Sequence, residues 1–165
     1  MGTDVAFADA ARELGYAFAD QGVTLVFGGS HRGLMGILAD ACLDAGGDVI
    51  GVIPQSLVDL EVAHTGLRDQ RIVGSMHERK ALMAELADAF LVMPGGLGTF
   101  DEMFEIMTWA QLGFHDKPMG LLDVNGFFDP LIALIDHLAD TGFIRDRGTL
   151  HRDADAGTLL SLLTT

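Results

Sequence analysis

Residues 93 to 113, MPGGLGTFDEMFEIMTWAQLG, join a glycine-rich turn to a helix that opens with acid. The turn, Pro94-Gly95-Gly96-Leu97-Gly98-Thr99, exposes backbone N–H groups at a helix N-terminus, where an anion can be received. It is not a P-loop, because no Gly-Lys-Ser/Thr follows. Nor is it a dinucleotide fingerprint, since the third glycine would fall at Asp101. A second such turn, Gly28-Gly29-Ser30-His31-Arg32-Gly33, follows the apolar run at 23–27 and also opens a helix. Either alone is an ordinary tight turn. Two in one chain favour a nucleotide or sugar phosphate.

Glu102 admits two readings. Thr99-x-x-Glu102 is a capping box, in which the carboxylate satisfies the helix N-terminus. The helix behind it is apolar nearly all round, through Phe100, Met103, Phe104, Ile106, Met107, Trp109 and Leu112, so burial is expected. A carboxylate in reduced solvent beside a phosphate-type loop is also a catalytic group in waiting. From spacing alone both readings stand.

Ser75-x-x-Glu78 is a second capping box. Behind it Met76, Arg79, Met83 and Leu86 recur at i, i+3, i+7 and i+10, which sets Arg79 on the apolar stripe of its helix. A guanidinium there either snorkels or enters a cleft to meet an anion; its place in the first turn favours the cleft. No metal site is expected. His77-Glu78-Arg79-Lys80 begins like a zinc-protease helix, but the second histidine would be at Ala81.

The net charge of −14 argues against nonspecific nucleic-acid binding, which needs a basic surface. Four of the ten basic residues, Arg68, Arg71, Arg79 and Lys80, nevertheless cluster. That island fits a small anionic ligand or a salt-bridged surface equally well. No uncharged run approaches a membrane span, and the first residues lack a basic segment leading into an apolar one. Cys42 is the single cysteine, set among Leu34, Ile37, Leu38 and Ala41, and reads as a packed thiol. The expected home is a reducing cytoplasm.

Around these residues, apolar runs alternate with helical periodicity. Strands are expected at 23–27, 48–53, 70–73, 89–93 and 118–122, and helices at 4–20, 33–45, 75–88, 99–113, 126–140 and 156–164. The pattern predicts an α/β fold: a Rossmann-like, doubly wound parallel sheet with helices on both faces, in one domain over 1–165. Residues 54–69 are the longest irregular stretch. Such domains normally begin with a strand, yet this chain enters a helix almost at once. The expectation is that a strand and turn precede Met1 in the native protein.

The stretch from "SMHERKALMAELADAFLVMPGGLGTFDEMFEIMTWAQLG" to "FFDPL", together with "LVFGGSHRGLMGILADACLDAGGDVIGVIPQSL", resembles the LONELY GUY family of cytokinin-activating phosphoribohydrolases. The family motif PGGxGTxxE runs here from Pro94 to Glu102, and Glu61 with His64 extends the match. The likeness covers residues 1 to about 145. It implies hydrolysis of an N6-modified adenosine 5′-monophosphate to free base and ribose 5-phosphate, by a homodimer without cofactor. By motif position, Arg79 and Glu102 correspond to the family's catalytic pair. Glu61, Met76, Lys80, Gly95, Gly96, Leu97, Gly98, Thr99, Phe100, Asp101 and Thr108, with Gly28 and Gly29 of the first loop, correspond to substrate-binding positions.

On that reading the acid beside the phosphate loop has a purpose. Glycosidic cleavage passes through an oxocarbenium-like transition state, positive at the sugar, which a carboxylate stabilises. Acid and loop then serve opposite ends of one ribose phosphate. The chain departs from the family at Gly28-Gly29-Ser30, where three glycines are usual, at Asp101-Glu102, where two glutamates are usual, and in lacking the opening strand. The rival readings are a nucleosidase that prefers unmodified AMP and a molybdenum-cofactor carrier. A lysine decarboxylase would need pyridoxal phosphate on Lys80 or Lys117, and neither has a supporting motif.

Overall fold

Asp4 opens the first helix by accepting from the Ala6 N–H at 3.0 Å, as an N-cap must, since the first-turn donors have no intrahelical partner. From there the computed structural model describes residues 2–60, 62–144 and 149–165. They fall into two compact units, Met1–Ala87 and Asp88–Thr165.

In the first unit, α1 (Val5–Asp20) precedes β1 (Leu25–Phe27), α2 (Gly33–Asp44), β2 (Val49–Pro54), a single turn α3 (Gln55–Val58), β3 (Asp69–Val73) and α4 (Met76–Leu86). The sheet is parallel, in the order β1-β2-β3, with Val26 opposite Ile50 and Gly51 opposite Gln70. Its middle strand is the core: Val52 and Ile53 are fully buried, as a strand covered on both faces requires. α1 lies on α2 through Ala11, Leu14 and Phe18. Gly15 permits the close approach, for a Cβ there would stand 2.6 Å from the Leu38 carbonyl. Cys42 is buried at this seam, and burial, with Asp48 nearby, pushes its thiol up to about 11.

The second unit runs β4 (Phe90–Val92), α5 (Leu97–Gln111), β5 (Met119–Leu122), α6 (Asp129–Asp140), β6 (Leu150–Asp153) and α7 (Ala156–Leu163). Its sheet is also parallel, in the order β4-β5-β6. All of β5 is buried, and α7 lies on β5 and β6 through Leu159 and Leu160. Phe128, fully buried, meets Phe127 and Phe100 edge-on, at ring-centre separations of 5.0 and 6.5 Å. Arg152 of β6 reaches Asp123 and Asp129, tying β6 to the start of α6.

The α/β class and the parallel, helix-flanked, Rossmann-like arrangement match the expectation. β1 and β4 are each paired on one side within their own sheets. Three particulars differ. β6 was not anticipated, because His151, Arg152 and Asp153 give it a polar composition. α5 begins two residues early, at Leu97, with Gly96 as N-cap and no side-chain cap. Thr99 is therefore inside the helix, and the Thr99–Glu102 capping box does not form. Finally, α5 is not buried all round. Met103 and Ile106 are, while Phe104 is exposed, as are Leu97 at 90% and, just past the helix, Leu112 and Phe114. No helix of the described residues is long and apolar enough to cross a membrane.

Candidate functional site

The start of α4 is built as its sequence foretells. Ser75 Oγ accepts from the Glu78 N–H at 3.1 Å, and Glu78 Oε2 accepts from the Gly74 N–H at 2.7 Å. Glu78 is thus spent on structure. The cap fixes the first turn and with it Arg79, the one buried residue of α4, 7% exposed. Its guanidinium does not snorkel outward. Nη1 lies 3.8 Å from Met76 Sδ, and Nη2 lies where a Cβ on Gly28 would be, so any side chain at Gly28 would overlap it. The buried guanidinium and the first glycine loop are therefore one assembly. Lys80 is half-buried beside it.

The loop itself is held from several directions. Gly29 sits in the left-handed region at φ 71°, which glycine alone adopts without strain. Its carbonyl accepts from the His64 N–H at 2.8 Å and from Gln70 Nε2 at 3.0 Å. The His31 N–H donates to the Val62 carbonyl at 3.0 Å, so residues 62–64 lie along the loop as a short antiparallel clip. His64 is buried and fixed at both ring nitrogens. Nδ1 accepts from the Gly66 N–H at 3.1 Å, so Nε2 carries the proton and donates to Asp40 Oδ1 at 2.9 Å. Glu61 lies outside the described residues.

Of the cationic cluster, Arg71 is committed to Asp69, by bonds of 3.2 and 3.1 Å that raise its pKa further, and Arg68 is exposed. Arg79 is the cation that the fold buries beside the loop.

In the second unit, Pro94 is buried and Gly95, Gly96, Leu97 and Gly98 are exposed. A Cβ on Gly96 or Gly98 would meet nothing within 4 Å, so chain packing does not demand either glycine. Their bare backbone leaves room for an anion to approach. At Gly95 a Cβ would overlap Thr99 Oγ1, which folds back over the turn. Phe100 is half-buried, Asp101 exposed and Glu102 half-buried within the helix. Glu102 lies inside α5, whose N-cap is Gly96. Thr108 is exposed and its hydroxyl donates to the Phe104 carbonyl at 2.7 Å.

Sequence reasoning missed Gln70 and Asp40. Neither sits in a motif: one is a strand residue and the other a helix residue, and each acts by a contact far along the chain.

The model of the family described as "Possible lysine decarboxylase" matches residues 35–153. The chain is 49% identical over 144 residues to the probable cytokinin riboside 5′-monophosphate phosphoribohydrolase LOGL1 of Oryza sativa subsp. japonica, covering 87% of this chain and 65% of the relative. It thus spans about two thirds of that protein's length. It is also 49% identical over 144 residues to the cytokinin riboside 5′-monophosphate phosphoribohydrolase of Rhodococcoides fascians, covering 87% of this chain and 73% of the relative. The solved molybdenum cofactor carrier protein of Chlamydomonas reinhardtii superposes with a TM-score of 0.72 at 22% identity, over 97% of this chain and 88% of that one, and shares the fold. With a family model matched over residues 35–153 and relatives at this identity, the chain belongs to the family described as possible lysine decarboxylases, whose members include the cytokinin riboside 5′-monophosphate phosphoribohydrolases.

Proposed function

We propose that this chain hydrolyses the N-glycosidic bond of N6-modified adenosine 5′-monophosphates, releasing the free base and ribose 5-phosphate. The observation that carries the reading is the buried Arg79 guanidinium fitted against side-chain-free Gly28, in a chain whose relatives bear the name of that activity.

The exposed glycines at 95, 96 and 98 open the backbone N–H groups of the second loop to the 5′-phosphate. Glu102 stabilises the positive charge that develops at the ribose as the bond to the base lengthens, and orients the attacking water. Arg79 supplies the positive charge that balances the nucleotide beside the first loop. Glu61, Met76, Lys80, Leu97, Thr99, Phe100, Asp101 and Thr108 complete the substrate-binding set, with Gly28 and Gly29. No cofactor enters the reaction, and residues 1–165 serve as one phosphoribohydrolase domain. The working form is a homodimer in the cytoplasm. The exposed Leu97, Leu112 and Phe114 support self-association, and the single buried cysteine supports a reducing compartment.

Incubation with isopentenyladenosine monophosphate and chromatography for free base tests the reading directly. Release of base from AMP at an equal or higher kcat/KM would move the assignment to a general nucleotide nucleosidase. Absence of base from either would leave a binding protein.

A further inference from the structure

The two bonds on the Gly29 carbonyl come from very different places. One is the His64 backbone N–H of the neighbouring clip; the other is a side chain from the far strand. Gln70 stands on β3 opposite Gly51 of β2, and Gly51 stands opposite Phe27 of β1. A Cβ at Gly51 would come within 3.0 Å of Gly29 Cα and 2.5 Å of Leu67 Cδ1. The missing side chain at Gly51 makes room for Leu67 and for the first loop, whose Gly29 carbonyl the Gln70 carboxamide reaches from β3.

That contact sets a direction. In a trans peptide the C=O and the following N–H point opposite ways, and no described peptide bond is cis. Two donors hold the Gly29 oxygen, so the Ser30 N–H is directed away from Gln70 and the 62–64 clip. Turning this peptide unit over would change ψ of Gly29 and φ of Ser30, and the two bonds on the Gly29 oxygen oppose it. Turned over, it would present a carbonyl dipole, which repels an anion, in place of an N–H.

We infer that Gln70 is a positioning residue for the nucleotide: by its bond to the Gly29 carbonyl it holds the Gly29–Ser30 peptide with its N–H, not its carbonyl, toward a nucleoside monophosphate. The inference rests on the reading that the first glycine loop touches the nucleotide. Gln70 touches no reacting atom. Its effect falls on affinity rather than on the bond-breaking step.

Two variants test it. Gln70→Glu sets an acceptor against the carbonyl, and Gln70→Leu removes the bond without charge. Each is measured for AMP affinity by calorimetry, for kcat and KM on isopentenyladenosine monophosphate, and for the Ser30 amide resonance by NMR without ligand. Gln70→Glu should weaken AMP binding and raise KM roughly tenfold or more, the scale of one lost buried hydrogen bond. It should leave kcat nearly unchanged and move the Ser30 amide resonance; Gln70→Leu should do the same to a smaller degree. If Gln70→Glu does not fold, the Leu variant alone decides. Wild-type affinity in the variants, or lost affinity with an unmoved Ser30 amide, overturns the inference. If the wild type itself binds no AMP, the functional reading falls, and the Ser30 resonance in the variants still decides whether Gln70 orients the peptide.

Discussion

The Arg79 guanidinium occupies the space that a side chain on Gly28 would need. The two residues lie far apart in sequence, one in a turn after β1 and the other in the first turn of α4. Their types are complementary: a long planar cation needs depth, and a glycine provides it.

Gly28→Ala should therefore act through Arg79. The methyl group displaces the guanidinium, and base release should fall on the order of 10²-fold, as when a preorganised charge is lost from an active site. Because both changes act on one group, Gly28→Ala combined with Arg79→Ala should be little worse than Arg79→Ala alone. Additive losses in that double-mutant cycle would separate the two residues.

Glu102→Gln should preserve the fold and abolish turnover. Glutamine keeps size and hydrogen-bonding capacity but not the charge that the proposed mechanism sets against an oxocarbenium-like centre, a loss on the order of 10²-fold or more. Circular dichroism and kcat together check this; activity within a few-fold of wild type would remove Glu102 from the chemistry.

Cys42 predicts a pH dependence of stability. The unfolded chain releases the thiol proton near the ordinary value of about 8.5, while the folded chain holds it to about 11. Between these values the folded state binds more protons, so unfolding free energy falls as pH rises through that window. Urea titrations at pH 8 and 10.5 should show the fall, and Cys42→Ala should make it smaller. In the folded protein the thiol should also resist alkylation at pH 8, since about one molecule in a thousand would carry the reactive thiolate.

Phe128→Ala should cost about 3–5 kcal/mol of stability, the usual range for emptying a buried aromatic site. The ring is fully buried against Phe100 and Phe127, so the cavity cannot be filled from solvent without wetting the core. The midpoint of urea denaturation measures the loss.

Much of this was readable from residues alone, for identifiable reasons. Strands such as Val49–Pro54 and Met119–Leu122 are buried on both faces, and their uninterrupted apolar runs say so. Arg79 announced itself by standing on an apolar stripe, and Ser75 and Glu78 by their spacing. The start of α5 was hidden because Gly96-Leu97-Gly98 reads as loop. Yet first-turn N–H groups need no intrahelical partner, and a helix can begin on glycines. The exposure of Phe104 and Leu112 was hidden too, since an apolar composition does not say which side is covered. Gln70 could not be seen at all: its meaning lies in a reach across two strands, which no local spacing encodes.

The outer strands of the two sheets bear on how the protein behaves when concentrated. β3 carries the Asp69–Arg71 pair, and β6 carries Arg152 and Asp153. Charges so placed discourage a stray strand from adding on. β1 and β4 are three residues each, so each gives its own sheet only a short ladder. Charged β3 and β6 should keep the sheets from growing along those two edges. Any association in concentrated samples should then proceed through side-chain surfaces and reverse on dilution, rather than build fibres.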